Sequence, residues 1–84
     1  MLIIDVRTPD EFNAGHLADA IHIEYQYILM MIDQYAPDKT AEIGLYCHAG
    51  VRSAYAQYAL LDAGYVNAIN LGGFDQLKRH YPFV

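Results

Sequence analysis

Residues 45–56 read "LYCHAGVRSAYA", and the reading of this stretch decides the fold. An apolar run closes on Cys47, the only cysteine of the 84-residue chain. Gly50 stands three places after it and Arg52 two places beyond that. The segment "EIGLYC" at 42–47 alternates and then turns apolar, which predicts a strand, with Gly44 marking a bulge or a close backbone approach. Ser53 to Ala63 is rich in Ala and Leu and predicts a helix. A strand that ends on a cysteine and leads into a helix sets the sulfur at a strand's carboxyl end. Open α/β sheets bind their ligands there.

The rest of the chain repeats that alternation. "MLIIDV" predicts a buried strand over 2–6. Thr8, Pro9 and Glu11 form a capping box with a proline start, opening a short helix that ends near Gly15. "AIHI" at 20–23 predicts a second strand. Apolar residues at 25, 28, 29 and 32 predict a helix from Tyr25 to Tyr35, and "APDKT" at 36–40 a turn. Gly64 is placed to end the 53–63 helix in a left-handed cap, with Tyr65 folding back as the hydrophobic partner. "VNAINL" at 66–71 predicts the last strand, Gly72-Gly73 a loop at the rim of the site, and Phe74 to Arg79 a final helix. Strands separated by helices favour parallel crossovers, hence one α/β domain over residues 1–84.

Composition excludes several functions. With 55% apolar residues and scattered charges, the chain reads as a folded globule. Net charge is -5, and of the five cations only Lys78 and Arg79 are neighbours, so nucleic acid is not an expected partner. A lone cysteine rules out an internal disulfide and a multi-cysteine metal site. His16, His22, His48 and His80 show no i, i+4 pair, so no metal is expected. No apolar run reaches ~18 residues, so no membrane span is expected. The N-terminus lacks the charged-then-apolar pattern of a signal peptide. This points to the cytoplasm, with the periplasm as the alternative if a leader has been removed.

By default a single cysteine in a small domain is a buried hydrophobe. The strand–Cys–x–x–Gly–x–Arg–helix context argues for a working sulfur. Loop amides can curl around Cys47, and the next helix points its positive end at it. Such settings lower a cysteine pKa from about 8.5 to roughly 3.5–7.5 and make the thiolate the resting form. Gly50 frees the backbone to turn N–H groups inward, and Arg52 adds a fixed cation. Asp5 and Arg7, two apart near the end of the first strand, share a face and are candidates to support the loop. Asp5 can accept the loop's N–H groups or meet Arg52, although a structural carboxylate is the favoured reading. Arg7 is expected to pair with Glu11, and His16 to make a structural hydrogen bond. Tyr25, Tyr55 and Tyr58 are expected in the core or at the rim. An exposed patch of Tyr27, Tyr55 or Tyr58 would instead mark a protein or dimer contact.

Three segments, in order and spacing, resemble the single-domain rhodanese-like sulfurtransferases of the thiosulfate sulfurtransferase type. They are "IDVRTPDEFNAGHLADAIHI" at 4–23, the loop Cys47-His48-Ala49-Gly50-Val51-Arg52-Ser53, and "LLDAGYVNAINLGGF" at 60–74. The resemblance implies a three-layer α/β fold: a mostly parallel central sheet with helices on both faces. Family members carry a helix and a strand ahead of the "IDVR" segment, with which this sequence opens. The resemblance also implies that Cys47 takes a sulfane sulfur from thiosulfate or a related donor, becomes a persulfide, and passes the sulfur to cyanide, a thiol or a sulfur-accepting protein. The amides from His48 to Ser53 would hold the persulfide anion, and no cofactor is called for. His48, Ala49 and Val51 occupy positions associated with donor choice. Arg52 either meets a donor's sulfonate or pins the loop through a buried carboxylate. Related phosphatases and arsenate reductases place one more residue between cysteine and arginine than the four found here. The shorter cradle suits a single sulfur better than a tetrahedral phosphate. Two other readings use the same sulfur. One is a persulfide carrier serving a protein partner. The other is a redox-sensing thiol, against which the lack of a resolving cysteine counts.

Overall fold

A computed structural model describes residues 1–84. In chain order the elements are β1 (Leu2–Asp5), α1 (Pro9–Ala14), β2 (Ile21–His22), a 3-10 turn (Tyr25–Tyr27), α2 (Ile28–Tyr35), β3 (Ile43–Cys47), α3 (Val51–Asp62), β4 (Ala68–Gly73) and α4 (Phe74–Leu77). The four strands form one parallel sheet in the order β2-β1-β3-β4. Every residue of β3 is buried, as expected of a central strand covered on both faces.

Successive side chains of a strand point to opposite faces, and here that alternation builds two cores. Ile4, Ile43, Leu45 and Cys47 pack with Ile28 and Ile32 of α2 and Ala56 and Leu60 of α3. Ile3 and Tyr46 face the other way, toward Leu17, Leu71, Phe74 and Leu77. Each buried Leu or Ile contributes about 1.5–3 kcal/mol relative to exposure, so the first core carries most of the apolar stabilisation. The second face is closed by α4 and by the chain's last residues. His16 and Val84 exchange backbone hydrogen bonds, each 2.8 Å.

The local signals account for the helix ends. Thr8 Oγ1 accepts from the Glu11 amide, and Glu11 Oε1 accepts from the Thr8 amide, which completes the capping box. At the end of α3, Gly64 is left-handed at φ 97°. The Tyr65 amide donates to the Leu60 carbonyl and the Gly64 amide to Leu61, a Schellman motif. Tyr65 folds back into the first core.

Several boundaries differ from the sequence reading. The residues from Tyr25 begin as a 3-10 turn, because the Tyr27 and Ile28 amides donate three residues back, to the Glu24 and Tyr25 carbonyls, and α2 starts only at Ile28. Helix α3 starts at Val51, two residues before Ser53, because Gly50 at φ 88° turns the chain straight into it. Gly72 and Gly73 are not a loop. They belong to β4, paired with Tyr46 and Cys47, and Leu71 is bulged out of the register. Gly44 is the close approach anticipated: a Cβ there would lie 2.6 Å from Leu71 Cδ1 and 2.7 Å from Met1 Sδ. Tyr25, Tyr55 and Tyr58 lie at the surface rather than in the core, with Tyr55 64% and Tyr58 70% exposed. No helix is long and apolar enough to cross a membrane.

Candidate active site

Cys47 ends β3, and the chain then turns through His48, Ala49 and Gly50 into the first turn of α3. Cys47 is 1% exposed, and its side chain packs on the α3 side of the sheet. The Gly50 amide donates to Sγ at 3.0 Å, and Ser53 Oγ lies 3.4 Å from Sγ. The sulfur therefore sits under the N-terminus of a three-turn helix, ringed by donors. Burial works to raise the thiol's pKa. Hydrogen bonds from the Ser53 hydroxyl and from the amides of Ser53, Ala49 and Gly50 outweigh it, and the pKa falls below the ordinary cysteine value.

Ser53 has one hydroxyl proton and two neighbours. Its Oγ is 2.7 Å from Asn70 Oδ1 as well as 3.4 Å from Sγ. With a thiol, S–H donates to Ser53, which donates to Asn70. With a thiolate, the hydroxyl turns to the sulfur, and the Gly72 amide still serves Asn70 Oδ1 at 3.0 Å. Asn70 Nδ2 donates to the Gly50 carbonyl at 2.9 Å, which fixes the turn that presents the Gly50 amide. Asn70 escaped the sequence reading. The available signal was a polar side chain at the same strand parity as the buried Ala68.

The backbone of β4 also shapes the loop. A Cβ on Gly73 would collide with the His48 carbonyl oxygen, so the loop rests directly on this glycine. His48, Ala49 and Val51 are exposed, as is fitting for loop positions that meet solvent or a substrate. A pocket of about 300 Å³, lined by His48, Ala49, Gly73, Asp75 and Gln76, flanks the loop on the α4 side.

The two arginines take different partners from those anticipated. Asp5 makes no hydrogen bond to the loop and does not meet Arg52. Its carboxylate receives the Arg7 amide, the Arg7 guanidinium and the Tyr46 hydroxyl. Arg7 is buried with it, not paired with Glu11, and also donates to the Gly15 carbonyl at 2.7 Å. The Arg7 guanidinium carbon lies 4.6 Å from the Phe74 ring centroid. Desolvation works against the guanidinium, but Asp5 more than compensates, so Arg7 stays charged. Burial and the neighbouring Asp5 push the Tyr46 phenol well above its ordinary range, which keeps it a neutral donor. Arg52, in the first turn of α3, pairs end-on with Glu11: Nη1 to Oε1 at 2.7 Å and Nη2 to Oε2 at 3.0 Å. That carboxylate is partly exposed, not buried. Arg52 holds the Glu11 carboxyl down to about 2, helped by the Thr8 amide and hydroxyl. His16 does make a structural hydrogen bond, to the Phe12 carbonyl at 2.8 Å, while stacked on the Phe12 ring.

A parallel sheet with a cysteine at the end of a central strand, cradled by the next helix, is an architecture with known counterparts. The family model for the rhodanese-like domain matches residues 1–80. This chain belongs to the rhodanese-like family. Among its relatives, the thiosulfate sulfurtransferase PspE of Escherichia coli is 34% identical over 88% of this chain and 71% of that protein. The thiosulfate sulfurtransferase GlpE of Coxiella burnetii is 29% identical over 98% of this chain and 76% of that one. A solved structure described as "rhodanese with anions from E. coli" superposes with a TM-score of 0.93 at 32% identity, covering 99% of this chain and 95% of that one. The similarity of this rhodanese-like domain is thus to sulfur-transferring proteins, in fold and in sequence together.

Proposed function

We propose that this rhodanese-like domain moves a sulfane sulfur from thiosulfate or a related donor, through a persulfide on Cys47, to cyanide or a thiol acceptor. The observation that carries the reading is the Cys47 sulfur itself, held by the Gly50 amide and Ser53 at the N-terminus of α3. The Cys47 thiolate attacks the outer sulfur of thiosulfate. A sulfur–sulfur bond forms to the enzyme, and the donor's sulfur–sulfur bond breaks. Sulfite leaves with the electron pair, and the persulfide anion remains in the cradle. Cyanide then attacks the outer sulfur, thiocyanate departs, and the thiolate is regenerated. The loop donors serve the thiolate before transfer and the persulfide after it, so the same amides stabilise charge throughout.

A protein as sulfur acceptor has its own support. Val51, on the active loop, and Tyr55, one turn later, are both exposed, and the Tyr55 ring lies 6.4 Å from that of Tyr25. Apolar surface beside a reactive loop fits a docking partner.

The test is intact-protein mass spectrometry after thiosulfate, and again after cyanide, beside Cys47→Ser. Wild type is expected to gain the mass of one sulfur and to lose it to cyanide, and Cys47→Ser to gain none. No gain on wild type from thiosulfate, polysulfide or a protein persulfide would overturn the assignment. Loading that discharges to a protein thiol but not to cyanide would favour the carrier reading.

A further inference from the structure

Both terminal nitrogens of the active loop's one fixed cation are already engaged. Arg52 uses Nη1 and Nη2 on the two oxygens of Glu11. Glu11 also accepts from the Thr8 amide and hydroxyl, so the cap of α1 and the start of α3 share one carboxylate. A second carboxylate, Asp75, lines the pocket beside His48 and Ala49. Arg7 is committed to Asp5, and Lys78 to Asp75 at 3.2 Å. What remains to stabilise an anion at Cys47 is the Ser53 hydroxyl, the ring of amides and the α3 N-terminus, and these close on the sulfur itself.

We infer that Glu11 is a specificity-determining residue: it neutralises Arg52, and the site thereby favours sulfane-sulfur donors with uncharged tails over donors that carry a sulfonate. The inference deepens the sulfur-transfer reading and rests on it. With its outer sulfur on Cys47, thiosulfate leaves its sulfonate end, which departs as the sulfite dianion, outside the amide ring and in the field of Arg52, which is close enough to Cys47 for their charges to interact. A free guanidinium would stabilise that end, whereas the Glu11–Arg52 pair presents no net charge to it. An alkyl persulfide has no such end. The Cys47 thiolate attacks its outer sulfur, the donor's sulfur–sulfur bond breaks, and the alkyl thiolate leaves with the electron pair. The proton of the new enzyme persulfide passes to that thiolate, leaving the persulfide anion in the cradle and a neutral thiol outside.

Glu11→Gln isolates the charge. Glutamine serves equally at this position of a capping box, so α1 keeps its start. Loading of the full chain is followed with thiosulfate and with 2-hydroxyethyl persulfide, in wild type and variant, over a range of salt. Glu11→Gln is expected to raise kcat/KM for thiosulfate by roughly three- to ten-fold, the size of one unit charge acting on a dianion through partly screened solvent. The gain should appear in KM, fade as salt rises, and leave the thiosulfate-to-persulfide ratio higher than in wild type. An unchanged ratio would overturn the inference. So would an equal fall with both donors, which would make Glu11 only a brace for the loop. If neither donor loads wild type above Cys47→Ser, the sulfur-transfer reading itself fails and the inference falls with it.

Discussion

Arg7 and Arg52 each meet a carboxylate through paired hydrogen bonds, yet one pair lies in the core and the other at the surface. Arg7 and Asp5 are both buried, and their side chains meet the frame of the molecule at Tyr46, Gly15 and the Phe74 ring. Arg52 and Glu11 join two helix starts at the surface, one of them the active loop's exit. In water a surface pair gains little, because solvent screens it and two long side chains are immobilised. In the core the same chemistry cannot be half removed without stranding a charge. The buried pair is thus a structural device. The exposed one can be altered with little effect on stability, and its consequence is read at the sulfur.

Four changes break or sharpen this contrast. Arg7→Ala strands the buried Asp5 carboxylate and should destabilise the fold by about 3–5 kcal/mol, read in urea denaturation. Gly73→Ala drives a Cβ into the His48 carbonyl and should displace the loop. It is expected to abolish most sulfur loading and to destabilise by about 1–3 kcal/mol through overpacking. Tyr46→Phe removes the donor to Asp5 and leaves the Leu17 amide without its acceptor, for about 1–3 kcal/mol. Arg52→Gln should change stability by only about 0–1 kcal/mol. A loss from Arg52→Gln as large as that from Arg7→Ala would erase the distinction.

The pH dependence sharpens it further. The folded Cys47 pKa is depressed, so the thiolate is held above that value and protonates as pH falls through it. Loading rates should therefore fall with decreasing pH only below the ordinary thiol range. The stability contributed by the thiolate's hydrogen bonds follows the same sign: it is complete above the unfolded thiol pKa and is lost as pH drops through the folded one. Ser53→Ala removes the strongest of the favourable interactions and should move the rate profile to higher pH. A profile unmoved by Ser53→Ala would assign the depression to the amides alone. Glu11 is depressed too, so the surface pair's contribution is present above about 4.5 and is lost as pH falls toward about 2.

Much of the fold was legible wherever a signal is local. The capping box at Thr8–Glu11 and the Schellman end at Gly64–Tyr65 depend on atoms within five residues of each other, and both stand where the residue types placed them. The same is true of the parallel α/β alternation, which follows from apolar periodicity and crossover geometry. The misses are of another kind. Gly72-Gly73 has the look of a loop in isolation, but its pairing with Tyr46 and Cys47 makes it strand. Ser53 looked like a helix start, but Gly50's left-handed turn opens α3 earlier and frees Ser53 for the sulfur.

The sequence by itself determined the class of fold, the cysteine at the end of a buried strand, and the glycine that turns amides toward it. These follow from torsional preference and hydrophobic period, which neighbouring residues set among themselves. Only the tertiary structure decided which carboxylate each arginine would meet, that Asn70 would brace the loop, and that Tyr55 and Tyr58 would face solvent. Glu11 and Arg52 are 41 residues apart, as are Asp5 and Tyr46. Such pairs exist only once the sheet has ordered β1 beside β3 and set α1 against α3. No local preference encodes a distance of that kind.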